Sequence, residues 1–251
     1  MIPIRDHNPL TGPVWVVWLL LLGAAAGFAL PWWWAQEEGL WRAALAYGLT
    51  PAALLADPLR NAPTLATHAF LHGSWAHLLG NLVFLWVFGD NVEDRLGHLR
   101  FLVFYLLGAA AAGLAHALVT PEPNVPLIGA SGAISAVLGA YVRFFPTRRV
   151  QAVVVPLVLP WLALRVLFGV GPFFLWTLPA WAYLGYWALV QVWEGVAGLQ
   201  FVGGGVAWWA HVGGFAFGLA VAPAFVRAGG TRADLSGRAR SGRSRRRGAG
   251  R

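Results

Sequence analysis

Four polar side chains stand inside apolar stretches of this chain, and together they could carry out acyl transfer. They are Ser131, His211, His77 and Asn81. A serine hydroxyl is a weak nucleophile that needs an adjacent base, and imidazole is the natural base near neutral pH. His77 and Asn81 are four residues apart, so one helix face can present both to the oxyanion of a tetrahedral intermediate. We therefore predict that Ser131 is the nucleophile and His211 the general base.

The sequence around Ser131 predicts further contributions to the same oxyanion site. Ser131 lies near the predicted start of a helix, where free backbone amides bind negative charge, so its own amide is a third predicted donor. Gly129 is assigned to the oxyanion and substrate-binding region together with His77 and Asn81. No carboxylate lies in the apolar stretches to orient His211. We therefore expect a Ser–His dyad whose imidazole is held by packing, because a buried carboxylate would be costly in this setting.

Glycines predict how two distant residues meet. Gly214 and Gly218 form a G-x-x-x-G step just after His211, and such steps allow two helix backbones to approach closely. Gly132 is expected to lie on the facing helix, next to Ser131. Packing of these two helices would bring Ser131 to His211, although the two residues are 80 positions apart.

Each of these residues has an ordinary structural interpretation when it is taken alone. A lone serine in a membrane helix usually bonds to a backbone carbonyl or packs at a helix contact. A lone histidine is more often a hydrogen-bonded core residue than a catalyst, and His116, which has no partner in the sequence, is interpreted in that way. The four candidates differ because the predicted topology places all of them at one depth.

Other kinds of site find little support in the sequence. The chain has no cysteine, and no histidine is followed by glutamate as the zinc motif H-E-x-x-H requires. His68, His72 and His77 lack a nearby carboxylate or thiolate to complete a metal site. An aspartyl intramembrane protease needs two aspartates at depth, and Asp90 is the only aspartate at the edge of a predicted span. We therefore predict no metal and no cofactor.

The composition determines the setting for this chemistry. Hydrophobic residues make up 58% of the chain and charged residues 11%, less than half of the roughly 25% usual in soluble domains. This excludes an ordinary soluble enzyme, whose surface needs more charge, and it excludes a disordered protein. We predict an all-α polytopic membrane protein.

Six apolar spans predict a bundle of six transmembrane helices, and the first of them is long enough to cross roughly 30 Å of hydrocarbon. The predicted spans are 13–34, 74–89, 101–119, 131–145, 181–193 and 206–226. Residues 1–12 are predicted to be a cytoplasmic segment, 13–227 the membrane domain, and 228–251 a disordered Arg-rich cytoplasmic tail. Within the membrane domain, 35–66 is expected to be an external interfacial loop. The stretch 150–180 is expected to be interfacial or re-entrant, since prolines and glycines interrupt it.

The arginines predict the orientation of the bundle. All 18 positively charged side chains are arginines, and nine of them lie from Arg227 onward. Positive charge concentrates on the cytoplasmic side of membrane proteins, and its distribution here places both termini in the cytoplasm. Arginine without lysine, together with abundant Ala, Gly and Trp, suggests a bacterial source, so the inner membrane is the expected location.

The candidate residues lie in segments that jointly resemble a known family. These segments are 67–81, which holds His72, His77 and Asn81; 88–97, Phe-Gly-Asp-Asn-Val-Glu-Asp-Arg-Leu-Gly; 129–133, Gly-Ala-Ser-Gly-Ala; and 210–214, Ala-His-Val-Gly-Gly. In this order they resemble the rhomboid intramembrane serine proteases, over roughly residues 45–225. The resemblance implies a compact bundle of six helices with a water-filled cavity that opens outward.

The resemblance also implies roles and partners. Ser131 matches the nucleophile, His211 the general base, and His77 and Asn81 the oxyanion-stabilising pair. The implied substrates are single-span membrane proteins, cut at small residues near a helix-destabilised stretch. The bilayer is the other expected partner, and no nucleic acid is expected. In some rhomboids a tyrosine one turn after the nucleophile stacks on the histidine, and because this chain has Ser135 there, His211 must be held differently.

Two other functional classes stay open. A catalytically silent rhomboid-like protein would bind and route membrane proteins, and the presence of Ser131, His211, His77 and Asn81 argues against it. A small-solute transporter would show internal repeats and broken helices in matching halves, and the sequence shows no repeat. Intramembrane proteolysis is therefore the preferred hypothesis.

The Arg-rich tail is predicted to be dispensable for proteolysis. It is charged, lacks apolar periodicity and follows the last predicted span, so it adds nothing to a packed core. Truncation after Arg227 should leave the rate of cleavage of a reporter in detergent within about twofold of the full chain. A loss of about tenfold or more would instead show that the tail contacts the core or the substrate.

Overall fold

The computed structural model describes residues 1–199 and 206–226, and the predicted cytoplasmic tail lies outside these ranges. The helices are α1 (Val16–Tyr47), α2 (Pro51–Ala56), α3 (Pro58–Asn61), α4 (Thr64–Thr67), α5 (Trp75–Leu96), α6 (His98–Val119), α7 (Ser131–Phe144), α8 (Val158–Phe168), α9 (Ala180–Gly198) and α10 (Trp208–Val221). The strands are β1 (Ile2–Asp6), β2 (Arg149–Val153) and β3 (Leu175–Pro179). Short 3-10 turns follow α4 and α10 and precede α8. The described chain is thus mostly helical.

Three of the described helical segments are long and apolar enough to cross a membrane. They are α1, α6 and Trp208–Phe225, which joins α10 to its 3-10 turn. The backbone of α1 leaves helical geometry at Ala35 and Gln36, so this helix kinks just after the end of the first predicted span. Among the described helices, α5, α7 and α9 do not meet the same criterion of length and hydropathy.

The centre of the bundle is α7, which contacts α5, α6, α9 and α10. All of its residues from Gly132 to Tyr141 are buried. Its backbone packs directly on α10, where the carbonyl of Gly132 lies against Gly214 and that of Ala136 against Gly218. A β-carbon at either α10 glycine would overlap these carbonyl groups. The two helices therefore approach as closely as glycine alone permits.

A small antiparallel sheet in the order β1-β2-β3 joins the N-terminus to the segment after α7. The prediction of an all-α fold is confirmed only as a mostly helical fold, because it did not include this sheet. In β2, Val150 and Ala152 are buried. Strand β1 has five residues and pairs with a segment far along the chain, so no local periodicity reveals it.

The stretch 150–180 is built from β2, α8 and β3. Because β2 and β3 are antiparallel neighbours, the chain returns to the same sheet after α8. Helix α8 buries none of its residues, and Leu159, Val166 and Phe168 on it are strongly exposed. An exposed apolar helix suits the membrane interface, which is one of the two settings predicted for this stretch.

Asp6 ties the sheet to the helical bundle. Its Oδ2 accepts hydrogen bonds from the Tyr141 hydroxyl of α7 at 2.5 Å and from Asn91 Nδ2 of α5 at 3.0 Å. Burial raises the pKa of the Asp6 carboxyl above its ordinary value, and the hydrogen bond from Tyr141 offsets part of this rise. Strand β1 is thereby fixed against two of the helices that carry candidate residues.

Glu93 holds the start of α1 against the end of α5. Its side chain is fully buried. The carboxylate accepts hydrogen bonds from the backbone amides of Trp15 and Val16 at 3.0 Å and of Val17 at 2.8 Å. His98 Nδ1 lies 2.6 Å from the same carboxylate. Amides at the start of a helix have no acceptor within that helix, and a carboxylate there also interacts favourably with the helix dipole.

The substitution Glu93→Ala should lower the free energy of unfolding by about 3–5 kcal/mol, because it leaves the first amides of α1 without an acceptor. Unfolding in mixed detergent micelles measures this difference. Glu38→Ala is the matched control, since Glu38 is exposed and pairs with Arg42 one turn along its own helix. The control should change stability by less than about 1 kcal/mol. Equal stability of the two variants would contradict the capping role of Glu93.

Candidate active site

One cavity of about 650 Å³ brings the predicted residues together. Ser131, His211, His77 and Asn81 all line it. They come from three different helices, since Ser131 lies on α7, His211 on α10, and the other two on α5. The tertiary structure therefore gathers at one place the four side chains that the sequence suggested for acyl transfer.

Ser131 is the first residue of α7. The backbone amides of Ser131, Gly132 and Ala133 donate to no acceptor within the described part of the chain, as expected for the first turn of a helix. The carbonyl of Ser131 accepts the Ser135 hydroxyl at 2.6 Å. The serine hydroxyl thus lies on the cavity wall beside free donors, while Ser135 is occupied within its own helix.

His77 and Asn81 lie one turn apart near the start of α5. Ser74 caps this helix, since its hydroxyl accepts the His77 amide at 3.2 Å. Asn81 is buried, and its Nδ2 makes no hydrogen bond to any group in the described residues. An unpaired buried donor is costly to leave unsatisfied. Because Asn81 also lines the cavity, its side chain is a candidate donor to an oxyanion there.

Gly129 controls the space between His77 and Ser131. Its φ of +122° is one that side-chain-bearing residues rarely adopt, and an added β-carbon would lie 2.6 Å from His77 Nε2 and 3.7 Å from Ser131 Oγ. Its amide donates to the carbonyl of His68 at 2.9 Å. Gly129 therefore shapes the predicted oxyanion region through its backbone conformation, and its own amide is occupied elsewhere.

His211 is held by a hydrogen bond that the sequence did not suggest. Its Nδ1 lies 2.6 Å from Oε1 of Gln191 on α9. The rings of Trp187 and Trp208 also neighbour the imidazole, each with its centroid 6.0 Å away. The expectation that packing alone holds the ring is therefore wrong. One signal was available, because Gln191 is an amide inside an apolar stretch and such groups mark functional sites.

Ser131 and His211 face the same cavity without a direct hydrogen bond between their side chains in the described structure. Catalytic hydrogen bonds are often long in the absence of substrate and tighten when it binds. The contact of Gly132 with Gly214 fixes the spacing of the two helices here.

Comparison with known proteins identifies the family. The Rhomboid domain matches residues 60–228, more than half of the chain and all four cavity residues named above. The chain belongs to the rhomboid family. Among similar proteins, Rhomboid-like protein 11, chloroplastic, of Arabidopsis thaliana is 41% identical over 68 residues, which are 27% of this chain and 24% of that protein.

A second relative of this rhomboid carries a protease name. Rhomboid protease GlpG of Yersinia pestis is 36% identical over 73 residues, 29% of this chain and 25% of that protein, and the protein of Yersinia pseudotuberculosis matches equally. These alignments span about a quarter of the length of the relatives. Family membership and the apolar helices together make the chain a multi-pass membrane protein.

Three other described histidines of this rhomboid are His116, which lies on the cavity wall, and the buried His68 and His72. His116, interpreted from the sequence as a structural histidine, lines the cavity wall. His68 Nε2 lies 3.3 Å from the carbonyl of Ala109, and the His72 ring meets the His77 ring edge-on at 5.1 Å. In the described ranges, no group of three or more potential ligands could hold a metal ion.

The substitution Gly129→Ala should lower the rate of cleavage of a reporter substrate on the order of a hundredfold, because the β-carbon displaces the His77 ring. Gly185→Ala is the matched control, since an added β-carbon there meets nothing within 4 Å. Cleavage by purified protein in detergent measures both rates. The role given to Gly129 would be wrong if both variants cut as fast as the unsubstituted chain.

Proposed function

We propose that this rhomboid is an intramembrane serine endopeptidase that cleaves transmembrane protein substrates with a Ser131–His211 dyad. The observation that carries the proposal is the shared cavity, because Ser131, His211, His77 and Asn81 all line it. A nucleophile, a base and donors for the oxyanion are the groups that acyl transfer uses. The protease name of the Yersinia relatives supports the same reaction class.

In the proposed reaction, each of these groups has one role. Ser131 Oγ attacks the carbonyl carbon of the scissile peptide bond, and its proton passes to Nε2 of His211. The oxyanion accepts hydrogen bonds from Asn81 Nδ2, from the His77 ring and from the Ser131 amide. When the tetrahedral intermediate collapses, the C–N bond breaks and the imidazolium gives its proton to the leaving amine. Water then attacks the acyl carbon while His211 takes its proton. Collapse of this second intermediate breaks the ester C–Oγ bond, releases the carboxylic acid product and returns the proton to Ser131.

The proposed setting is a bacterial inner membrane, crossed six times by α1, α5, α6, α7, α9 and α10. Both termini then lie in the cytoplasm, which agrees with the distribution of arginines. Helix α7 has 14 residues, fewer than the roughly 20 that span a full bilayer. A short central helix leaves room for the cavity above it and favours local thinning of the bilayer.

The substitutions Ser131→Ala and His211→Ala should each abolish cleavage of a reporter transmembrane substrate while the chain stays folded. A serine-reactive fluorophosphonate should label the detergent-solubilised protein, and Ser131→Ala should remove the label. Gly185→Ala again serves as the control that keeps both activities. Near-normal cleavage by Ser131→Ala would contradict the assignment of Ser131 as the nucleophile. A folded chain that neither cleaves nor reacts would point to the alternative, a silent protein that binds membrane clients.

A further inference from the structure

Gln191 is a buried polar side chain that the reaction above does not use. It lies on α9, and 5% of its surface is exposed. Its Oε1 lies 2.6 Å from His211 Nδ1, and its Nε2 donates to the carbonyl of Trp187, one turn earlier on the same helix, at 3.3 Å. The amide therefore makes one contact at each end, and one of these contacts is with the proposed base.

The hydrogen bond to Trp187 decides which end of the Gln191 amide faces the histidine. The oxygen and nitrogen of an amide are assigned from their partners, since the group can be turned over without a change of shape. In the reversed orientation, Oε1 would face the Trp187 carbonyl, and two acceptors would meet with no proton between them. The amide thus presents its acceptor to His211 Nδ1.

An acceptor at Nδ1 selects one neutral tautomer of His211. Neutral imidazole carries one N–H and one lone pair, and an oxygen 2.6 Å from Nδ1 requires the N–H at that nitrogen. Nε2 then holds the lone pair that a general base needs. In the other tautomer, a lone pair of Nδ1 would face a lone pair of the Gln191 oxygen. Nε2 would then carry the proton and could not accept one from the serine.

We propose that Gln191 is a positioning residue, which holds the His211 imidazole as the Nδ1–H tautomer so that Nε2 can accept the proton of Ser131. This role rests on the proposed function. The rings of Trp187 and Trp208 limit the tilt of the imidazole, but neither ring distinguishes its two nitrogens. The oxygen of Gln191 distinguishes the two nitrogens, because it contacts only Nδ1.

A neutral acceptor suits this position in the bundle. An ionised carboxylate in an apolar span is costly, whereas an amide supplies an acceptor without a net charge. The groups that titrate and share the cavity with His211 include His77 on α5 and His116 on α6. Ser135 occupies the place of the stacking tyrosine of some rhomboids and bonds to its own helix, so the amide replaces that support.

The first test uses the chain without a substitution at Gln191. Nitrogen-15 NMR of the full chain, labelled on histidine and held in micelles, shows which ring nitrogen carries the proton, and the spectrum of His211→Ala identifies the signals of His211. We expect protonated Nδ1 and unprotonated Nε2 in the neutral ring. A dominant Nε2–H tautomer would overturn the proposal. The measurement requires no turnover, so it is independent of whether the chain is a protease.

The second test removes the acceptor. Gln191→Met keeps the length of the side chain, and we expect kcat for a reporter to fall about tenfold to a hundredfold with KM within about twofold. Gln191→Glu restores an acceptor oxygen and should recover most of this loss. Gln151→Met is the matched control, since Gln151 lies on β2 and accepts from Arg5 Nε at 3.0 Å. The control should stay within about twofold of the unsubstituted rate.

Two results would refute the role of Gln191. One is an unchanged kcat in Gln191→Met together with an unchanged tautomer. The other is an equal loss in Gln191→Met and Gln191→Glu, which would assign the effect to packing. If the unsubstituted chain neither cleaves the reporter nor reacts with the fluorophosphonate, the proposed function fails, and the NMR measurement still decides which tautomer Gln191 selects.

Discussion

Direct contact between the backbones of α7 and α10 is the constraint on which the candidate site depends. Ser131 begins α7 and His211 lies on α10, so the spacing of these helices decides whether the two side chains share a cavity. Gly214 and Gly218 permit the contact, because carbonyls of α7 occupy the space that a β-carbon would need. In lipid, where apolar side chains gain little by leaving their surroundings, such close packing supplies much of the attraction between helices.

Buried polar groups are hydrogen-bonded at one end of the bundle and partly unpaired at the other. At the end that carries the sheet, the carboxylates of Glu93 and Asp6 accept hydrogen bonds from neighbouring elements and lock them together. At the cavity end, Asn81 Nδ2 has no partner among the described residues, and the first amides of α7 are likewise free. Unsatisfied donors cost stability, and an enzyme carries that cost where a substrate will bind. The end with satisfied polar groups thus holds in place the helices that carry the candidate site.

Much of this arrangement was predictable from the sequence. Long apolar runs predicted a helical membrane protein, because only helices and closed barrels satisfy backbone groups in lipid. Polar residues are rare in such runs, so Ser131, His211, His77 and Asn81 stood out, and the structure places all four on one cavity. Their types and spacing suggested acyl transfer before any distance was known. Gly214 and Gly218 also predicted a close helix contact from the sequence, because a G-x-x-x-G step lies on one face of one helix.

Only the tertiary structure decided the contacts between segments that no local pattern links. Strand β1 has five residues and pairs with β2 more than a hundred positions later, so its order comes from its partner and from Asp6. Gln191 is 20 residues from His211 in the chain and on another helix. Its importance lies in a distance of 2.6 Å, which depends on how α9 and α10 are rotated about their axes. The sequence determines which groups are available, whereas the packing of helices determines which of them meet.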